Sequence, residues 1–217
     1  MAEPSARLYL VTPVLDDTAA FEPRLREACA AGEIAAVLAR LAPADERTLI
    51  KRVKSLAPAV QDHGAALVVT VEGEADLATV AARGGADGVH VRADLARVRE
   101  LRERLKGERF VGVGGLRTKD DAMTLGEAGV DYLMFGEPRP DGSVPSLDRV
   151  VERAAWWAEI FETPCVAYAP TLAAVTPLAA TQAEFIALGT AVWEHGDGPA
   201  AAVRLAHDAL GQPEAAR

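Results

Sequence analysis

The chain has 217 residues, half of them apolar and a quarter charged, with a net charge of −9. That is enough to bury a sizeable core without staples, while an acidic chain lacks the basic footprint that displaces counterions from a phosphate backbone, so nonspecific nucleic-acid binding is excluded. No apolar run has membrane-spanning length and no signal-peptide apolar region follows Met1; the expectation is a soluble, cytoplasmic protein with no membrane partner, acting on small molecules or on other proteins.

In chain order, Leu8-Tyr9-Leu10-Val11-Thr12-Pro13 reads as a first strand stopped by proline, and a helix suits Thr18 to Ala31. Ile34 to Arg40 is the second strand. The next helix, Glu46 to His63, sets Leu49, Ile50, Val53, Leu56 and Val60 at helical spacing, and Gly64 ends it. Ala65 to Val71 is the third strand, Glu74 to Arg83 a helix, and Gly88 to Val91 the fourth strand. Asp94 to Lys106 places Leu95, Val98, Leu101 and Leu105 on one helical face. Phe110 to Gly114 is the fifth strand, after which Thr118 and Asp121 form a capping box. Tyr132 to Phe135, too short for a helix and bounded by glycine, is a buried sixth strand.

The helix from Ser146 to Phe161 carries Trp156-Trp157, one ring for the barrel wall and the other free for an oligomer contact such as a homodimer. Cys165 to Ala169 is the seventh strand, a short helix follows Thr171, Phe185 to Val192 is the eighth strand, and the last helix runs from Pro199 to Leu210. Cys29 and Cys165, each in apolar surroundings, read as buried thiols. With no linker to divide it, the chain reads as one domain over 1–217, with disordered tails at 1–6 and 211–217.

One pattern recurs: a helix end, a small residue, an acid, then a β run. It occurs at Gly32-Glu33 before Ile34, Ala86-Asp87 before Gly88, Gly129-Val130-Asp131 before Tyr132 and Ala183-Glu184 before Phe185, two βα units apart each time. Strands that alternate with helices need crossovers and so form a parallel sheet. The fold class is therefore α/β, a single (β/α)8 TIM barrel; a doubly wound open sheet is the alternative.

In such a barrel the site is built where strands end and helices begin. Those positions hold Arg40, Glu72, His90, Arg92, Arg117, Glu137, Arg139, Gly189 and Thr190. Four arginines at one mouth of an acidic protein point to a phosphate or carboxylate ligand, unless they pair with Glu72, Asp94 and Glu137. Gly189-Thr190 offers close backbone approach and a hydroxyl to a phosphate, or else a tight turn with a helix cap. His90 is a candidate for acid/base work or anion binding, or a hydrogen-bonded structural histidine. Glu137 suits a cation or a ring nitrogen, or a salt bridge to a neighbouring arginine. Val111-Gly112-Val113-Gly114-Gly115 lacks the G-x-G-x-x-G spacing of a dinucleotide fingerprint.

Leu8-Tyr9-Leu10-Val11-Thr12, Ala86-Asp87-Gly88-Val89-His90-Val91, Val111-Gly112-Val113, Gly129 to Pro138 and Phe185-Ile186-Ala187-Leu188-Gly189 resemble the thiamin phosphate synthase/TenI family in order and spacing. The resemblance implies a (β/α)8 barrel and a transferase that joins a hydroxymethylpyrimidine diphosphate to a thiazole phosphate, releasing pyrophosphate with the help of Mg²⁺. Against the family pattern, Arg40-Leu41-Ala42 keeps only the arginine of Arg-Glu-Lys, and Glu72 stands as a substitute metal ligand near a lost Asn-Asp pair. His90-Val91-Arg92-Ala93-Asp94 keeps the histidine and shifts the acid. Gly114-Gly115-Leu116 replaces Ser-x-His, Arg139-Pro140-Asp141-Gly142 replaces a Thr and a Lys, and Ala169-Pro170-Thr171 replaces a Gly-Gly phosphate loop. Most family catalytic residues are thus expected to be replaced, with Arg40, Arg92, Arg117 and Arg139 taking over anion binding. Three readings follow: the family transferase, a TenI-like isomerase using His90 or Glu137, and a noncatalytic barrel binding an anionic small molecule or partner protein.

Overall fold

The computed structural model describes residues 6–139 and 141–211; the tails expected at 1–6 and 211–217 fall outside it except for Ala6 and Gly211. Strands β1 (Arg7–Leu15), β2 (Ile34–Leu41), β3 (Ala66–Val71), β4 (Gly88–Arg92), β5 (Phe110–Gly114), β6 (Tyr132–Phe135), β7 (Cys165–Ala169) and β8 (Phe185–Leu188) form a closed parallel barrel in sequence order. Closure is made by β8 against β1, with Leu8 beside Ile186 and Leu10 beside Leu188. Helices α1 (Thr18–Ala30), α2 (Glu46–Gln61), α3 (Leu77–Gly84), α4 (Leu95–Leu105), α5 (Lys119–Glu127), α6 (Leu147–Ile160), α7 (Val175–Ala179), α8 (Thr190–Trp193) and α9 (Pro199–Leu210) supply the outer layer.

Alternation along the strands divides the core in two. Leu8 and Leu10 point outward into the large helix-covered cluster, while Tyr9 and Val11 join Leu38, Tyr132, Met134 and Tyr168 inside the barrel. The outward face is mostly aliphatic, with Phe135 and Cys165 as its exceptions on the strands. The inward face carries three tyrosines, so polar atoms are held deep in the core.

The recurring acids have a common structural cause. Asp87 accepts the Leu67 N–H at 2.7 Å, Asp131 the Val111 N–H at 2.6 Å and Glu184 the Cys165 N–H at 2.8 Å. Each carboxylate before an even strand thus satisfies a backbone donor near the start of the odd strand beside it, a group that a barrel rim would otherwise leave unpaired. Glu33, the fourth copy, is exposed instead.

Two strand boundaries differ from expectation. Strand β1 continues through Pro13 to Leu15, with a register irregularity between Val11 and Val14. There the Thr12 hydroxyl accepts the Arg40 N–H at 3.0 Å, so a bulge accommodates the residue that has no N–H. Strand β8 ends at Leu188, not Val192: Gly189 turns the chain and Thr190 opens α8. The Thr118–Asp121 capping box is formed as expected.

Cys29 and Cys165 are both buried free thiols. Burial pushes the Cys29 thiol up to about 12, against a smaller opposing pull from Arg26, so neither its setting nor its ionisation suits a nucleophile. Trp157 is buried, stacks on Phe161 at 4.0 Å and donates to the Thr163 carbonyl at 2.7 Å. Trp156 is half-buried, under Lys119 and edge-on to Phe161. Among the described residues no helix is long and apolar enough to cross a membrane.

Candidate functional site

The site begins inside the barrel, at β5. Its sequence alternates outward Val111 and Val113, both fully buried, with inward Gly112 and Gly114. In register, Gly112 lies between His90 on β4 and Tyr132 on β6. A Cβ at Gly112 would sit 2.0 Å from the Tyr132 ring, and one at Gly114 would sit 2.5 Å from both carboxylate oxygens of Glu137. The two glycines therefore open a corridor through which side chains of β4 and of β6 with its following loop meet across the intervening strand.

Through that corridor runs a line of polar atoms. The Tyr9 and Tyr132 hydroxyls lie 2.8 Å apart, the Tyr132 hydroxyl lies 2.9 Å from His90 Nδ1, and His90 Nε2 faces Glu137 Oε2 at 3.4 Å. In the neutral imidazole with its proton on Nε2, Tyr132 donates to Nδ1 and accepts from Tyr9, which turns the His90 N–H toward Glu137 and the mouth. His90 is only 4% exposed, yet among the described residues Nε2 has no hydrogen-bond partner. Burial pushes the Tyr132 and Tyr9 hydroxyls well up from the usual phenol range, so both stay protonated as donors. Burial would also raise the Glu137 carboxyl, but the imidazole of His90 beside it and, after that, the charges of Arg92 and Arg40 outweigh burial and hold Glu137 below its usual range.

Above this line a cavity of about 910 Å³ opens at the strand ends, lined by Arg40, Glu72, His90, Arg92 and Glu137 among others. Arg40 is not free there: it donates to Glu72 Oε1 through Nε at 3.2 Å and Nη2 at 2.7 Å. Asp76 and Asp94, at the same rim, cap α3 and α4. Glu72, expected as a metal ligand, is thus engaged by Arg40, and among the described residues no group of three or more His, Cys, Asp or Glu side chains is arranged to hold a metal ion. The donor set does not fit a preformed Mg²⁺ cage.

The four arginines do not share one hollow. Arg40 and Arg92 line the mouth, whereas Arg117 and Arg139 line a second cavity of about 360 Å³ beside the β5 and β6 loops, to which Arg92 also contributes. Gly189 and Thr190 line neither cavity; a Cβ at Gly189 would be 2.4 Å from the Tyr168 hydroxyl, so that glycine makes room for the tyrosine. Reading the strand ends missed Tyr9 and Tyr132, since both sit deeper in the barrel. The signal for them was the Val-Gly-Val-Gly alternation, which marks space claimed by a neighbouring strand's side chains.

A family model described as thiamine monophosphate synthase matches residues 8–192. The chain belongs to the thiamine monophosphate synthase family. Within it, the chain is 38% identical over 199 residues to a thiamine-phosphate synthase of Rhodospirillum centenum, covering 91% of this chain and 94% of that one. It is 34% identical over 211 residues to a thiamine-phosphate synthase of Hyphomonas neptunium, covering 93% and 92%. Among solved structures, a thiamine phosphate pyrophosphorylase from Pyrococcus furiosus superposes with a TM-score of 0.76 at 21% identity, over 96% of each chain. A 3-hexulose-6-phosphate synthase superposes with a TM-score of 0.70 at 17% identity, over 93% of this chain and 99% of that one. At those identities the structures speak for the barrel fold shared by this thiamine monophosphate synthase family member.

Proposed function

We propose that the protein takes phosphorylated thiamin precursors into the mouth cavity and joins them as thiamin phosphate. The observation that carries this reading is the convergence of His90, Glu137, Arg40 and Arg92 on one hollow at the strand ends, in a chain 38% identical to a thiamine-phosphate synthase over nearly its whole length. In this reaction the carbinyl C–O bond of the pyrimidine diphosphate breaks, its electron pair leaves with pyrophosphate, and the thiazole nitrogen lone pair forms the new C–N bond. Arg40 and Arg92 supply donors to the departing diphosphate. Glu137, kept ionised, stabilises positive charge developing on the pyrimidine, and His90 Nε2 offers a proton at the mouth. Gly189 and Thr190 remain the proposed partners of a thiazole phosphate, next to Tyr168.

The test is direct. Purified protein incubated in Mg²⁺ buffer with hydroxymethylpyrimidine diphosphate and thiazole phosphate should release equal amounts of thiamin phosphate and pyrophosphate. Arg40→Ala and Glu137→Gln should each lower kcat/KM by roughly 10²-fold, the usual effect of removing one group that stabilises developing charge. No product at enzyme concentrations equal to substrate would overturn the reading.

The Arg40–Glu72 pair favours a second reading, a barrel that binds an anionic small molecule or a partner protein without turnover. Calorimetry would then show heat with thiamin phosphate or thiazole phosphate while the coupling assay stays blank. A TenI-like isomerase would instead lose its turnover in His90→Asn.

A further inference from the structure

Charge is shared unevenly over the outer wall of the barrel. Residues 47–61 of α2 hold Arg47, Lys51, Arg52 and Lys54 and no acid, while all 32 acids of the chain and 19 of its 23 bases lie elsewhere. Arg52 is occupied, donating to the Ala42 carbonyl at 2.8 Å. Arg47, Lys51 and Lys54 are exposed and, among the described residues, make no ion pair within 4.0 Å.

Within the helix this arrangement is unfavourable. Arg47 and Lys51 are four residues apart and Lys51 and Lys54 three, the spacings at which like charges repel. Arg47 also stands in the first turn, where the macrodipole disfavours a cation, whereas the last turn, which would favour one, has none and ends on Asp62. Local stability supplies no reason for the cluster; a facing acidic surface would.

The neighbouring helix carries such a surface. On α1, Glu22 holds Arg26 at 2.6 Å, and Glu27 is exposed beside Gly198 at the start of α9, with no ion pair among the described residues. Each of α1 and α2 follows a strand of the parallel barrel, so the two helices run the same way, and they meet where the Thr18 and Ser55 hydroxyls lie 2.9 Å apart. Lys51 stands about one turn before Ser55 and Glu22 about one turn after Thr18; Arg47 stands about two turns before and Glu27 about two and a half turns after. A half-turn about an axis through that contact, normal to the surface, lays one copy's α1 antiparallel over the other's α2. Lys51 then faces the partner's Glu22 and Arg47 the partner's Glu27, and by symmetry each pair occurs twice. The exposed Ala20, Pro23 and Ser55 leave only short side chains between the helices.

We propose that the α1–α2 face is a self-complementary interface on which a second copy of this chain docks, with the two-fold axis at the Thr18–Ser55 contact. The face lies on the outer wall, apart from the mouth, so it does not depend on the function proposed above. Two helices side by side cover roughly 20 Å by 20 Å, about half of a standard interface per partner. The association is therefore weak, and ionic strength governs it.

Sedimentation velocity of the whole protein tests it, over concentrations from about 10 to about 500 µM. At about 0.1 M salt the Debye length of about 10 Å screens the long-range repulsion between two chains of net charge −9 and spares contact pairs; a dimer should form there and dissociate at about 0.5 M. Arg47→Glu and Glu27→Lys should each be monomeric, since either reversal sets two like-charged pairs face to face. Mixed in equal amounts the two variants should recover the dimer, because every Arg47–Glu27 contact in the mixed pair is again between opposite charges. If circular dichroism shows either variant misfolded, Lys51→Glu and Glu22→Lys repeat the exchange at the second pair. A wild type that stays monomeric throughout, a dimer that survives both reversals and so sits on another face such as that of Trp156, or folded variants that stay monomeric when mixed, overturns the proposal.

Discussion

The Tyr132 hydroxyl reaches His90 Nδ1 at 2.9 Å by passing over Gly112, the residue that separates them in the sheet register. Tyr132→Phe would strip from the buried Tyr9 hydroxyl and from His90 Nδ1 the only hydrogen-bond partner that each has among the described residues. Leaving buried polar groups unpaired costs about 1–3 kcal/mol, so urea unfolding should show a loss of that size. The imidazole NMR signals of His90 should also move in this variant, because the partner that fixes its tautomer is gone. Unchanged stability and unchanged imidazole signals would show that the tyrosine only fills space.

The same corridor makes Gly112 intolerant of a side chain. With a Cβ 2.0 Å from the Tyr132 ring, Gly112→Ala forces the tyrosine out of its place, a case of overpacking at or above about 3 kcal/mol. Tyr132→Leu in the alanine background should restore part of the loss, since the smaller side chain vacates the contested volume. A double-mutant cycle measures that coupling; simple additivity of the two losses would remove the steric account.

How much of this was readable in the chain depends on range. The barrel was legible because every second βα unit carries the same punctuation, and three of the four recurring acids proved to be partners of backbone donors at the strand starts. The positions of Arg40, His90, Arg92 and Glu137 at one mouth also followed, since strand ends in a barrel converge. The Tyr9–Tyr132–His90 line was not readable: it joins residues 123 and 42 positions apart through a gap in a third strand. Nor was the separation of Arg117 and Arg139 from the mouth, because a loop's direction after its strand is set by packing, here of Gly136 on Val150, and not by local pattern. Pro13 misled for a related reason, its missing N–H being absorbed by a bulge and the Thr12 hydroxyl.

The acids before the even strands separate two kinds of surface carboxylate. Asp131 accepts the Val111 N–H and also holds Arg102 at 2.5 Å, so Asp131→Ala leaves a strand donor and a guanidinium without their partner. The expected loss is about 1–3 kcal/mol. Glu33 occupies the equivalent place in the repeat but is exposed, and Glu33→Ala should change stability by no more than about 0.5 kcal/mol. Thermal denaturation of the two variants side by side checks the contrast; equal effects would mean that the repeat has no structural role.

At the rim of the mouth, Asp76 ties α3 to α4. Its carboxylate caps α3 through the Thr79 N–H at 3.1 Å and pairs with Arg104 at 2.7 Å. The Arg104 hydrogen bond is the main influence that lowers its pKa from 3.8 to about 2, helped by Thr79 and opposed by partial burial. Because the folded value lies below the unfolded one, the stabilisation is complete above about pH 4 and is lost as pH falls toward 2. Asp76→Asn keeps an N-cap acceptor but gives up the charge, and both partners are more than one-third exposed, so screening limits the loss at pH 7 to about 1 kcal/mol or less. The gap between wild type and Asp76→Asn should therefore close on acidification from pH 5 to pH 2 and shrink with added salt at pH 7. A gap that held constant across that range would mean that the carboxylate acts through its shape as a cap and not through its charge.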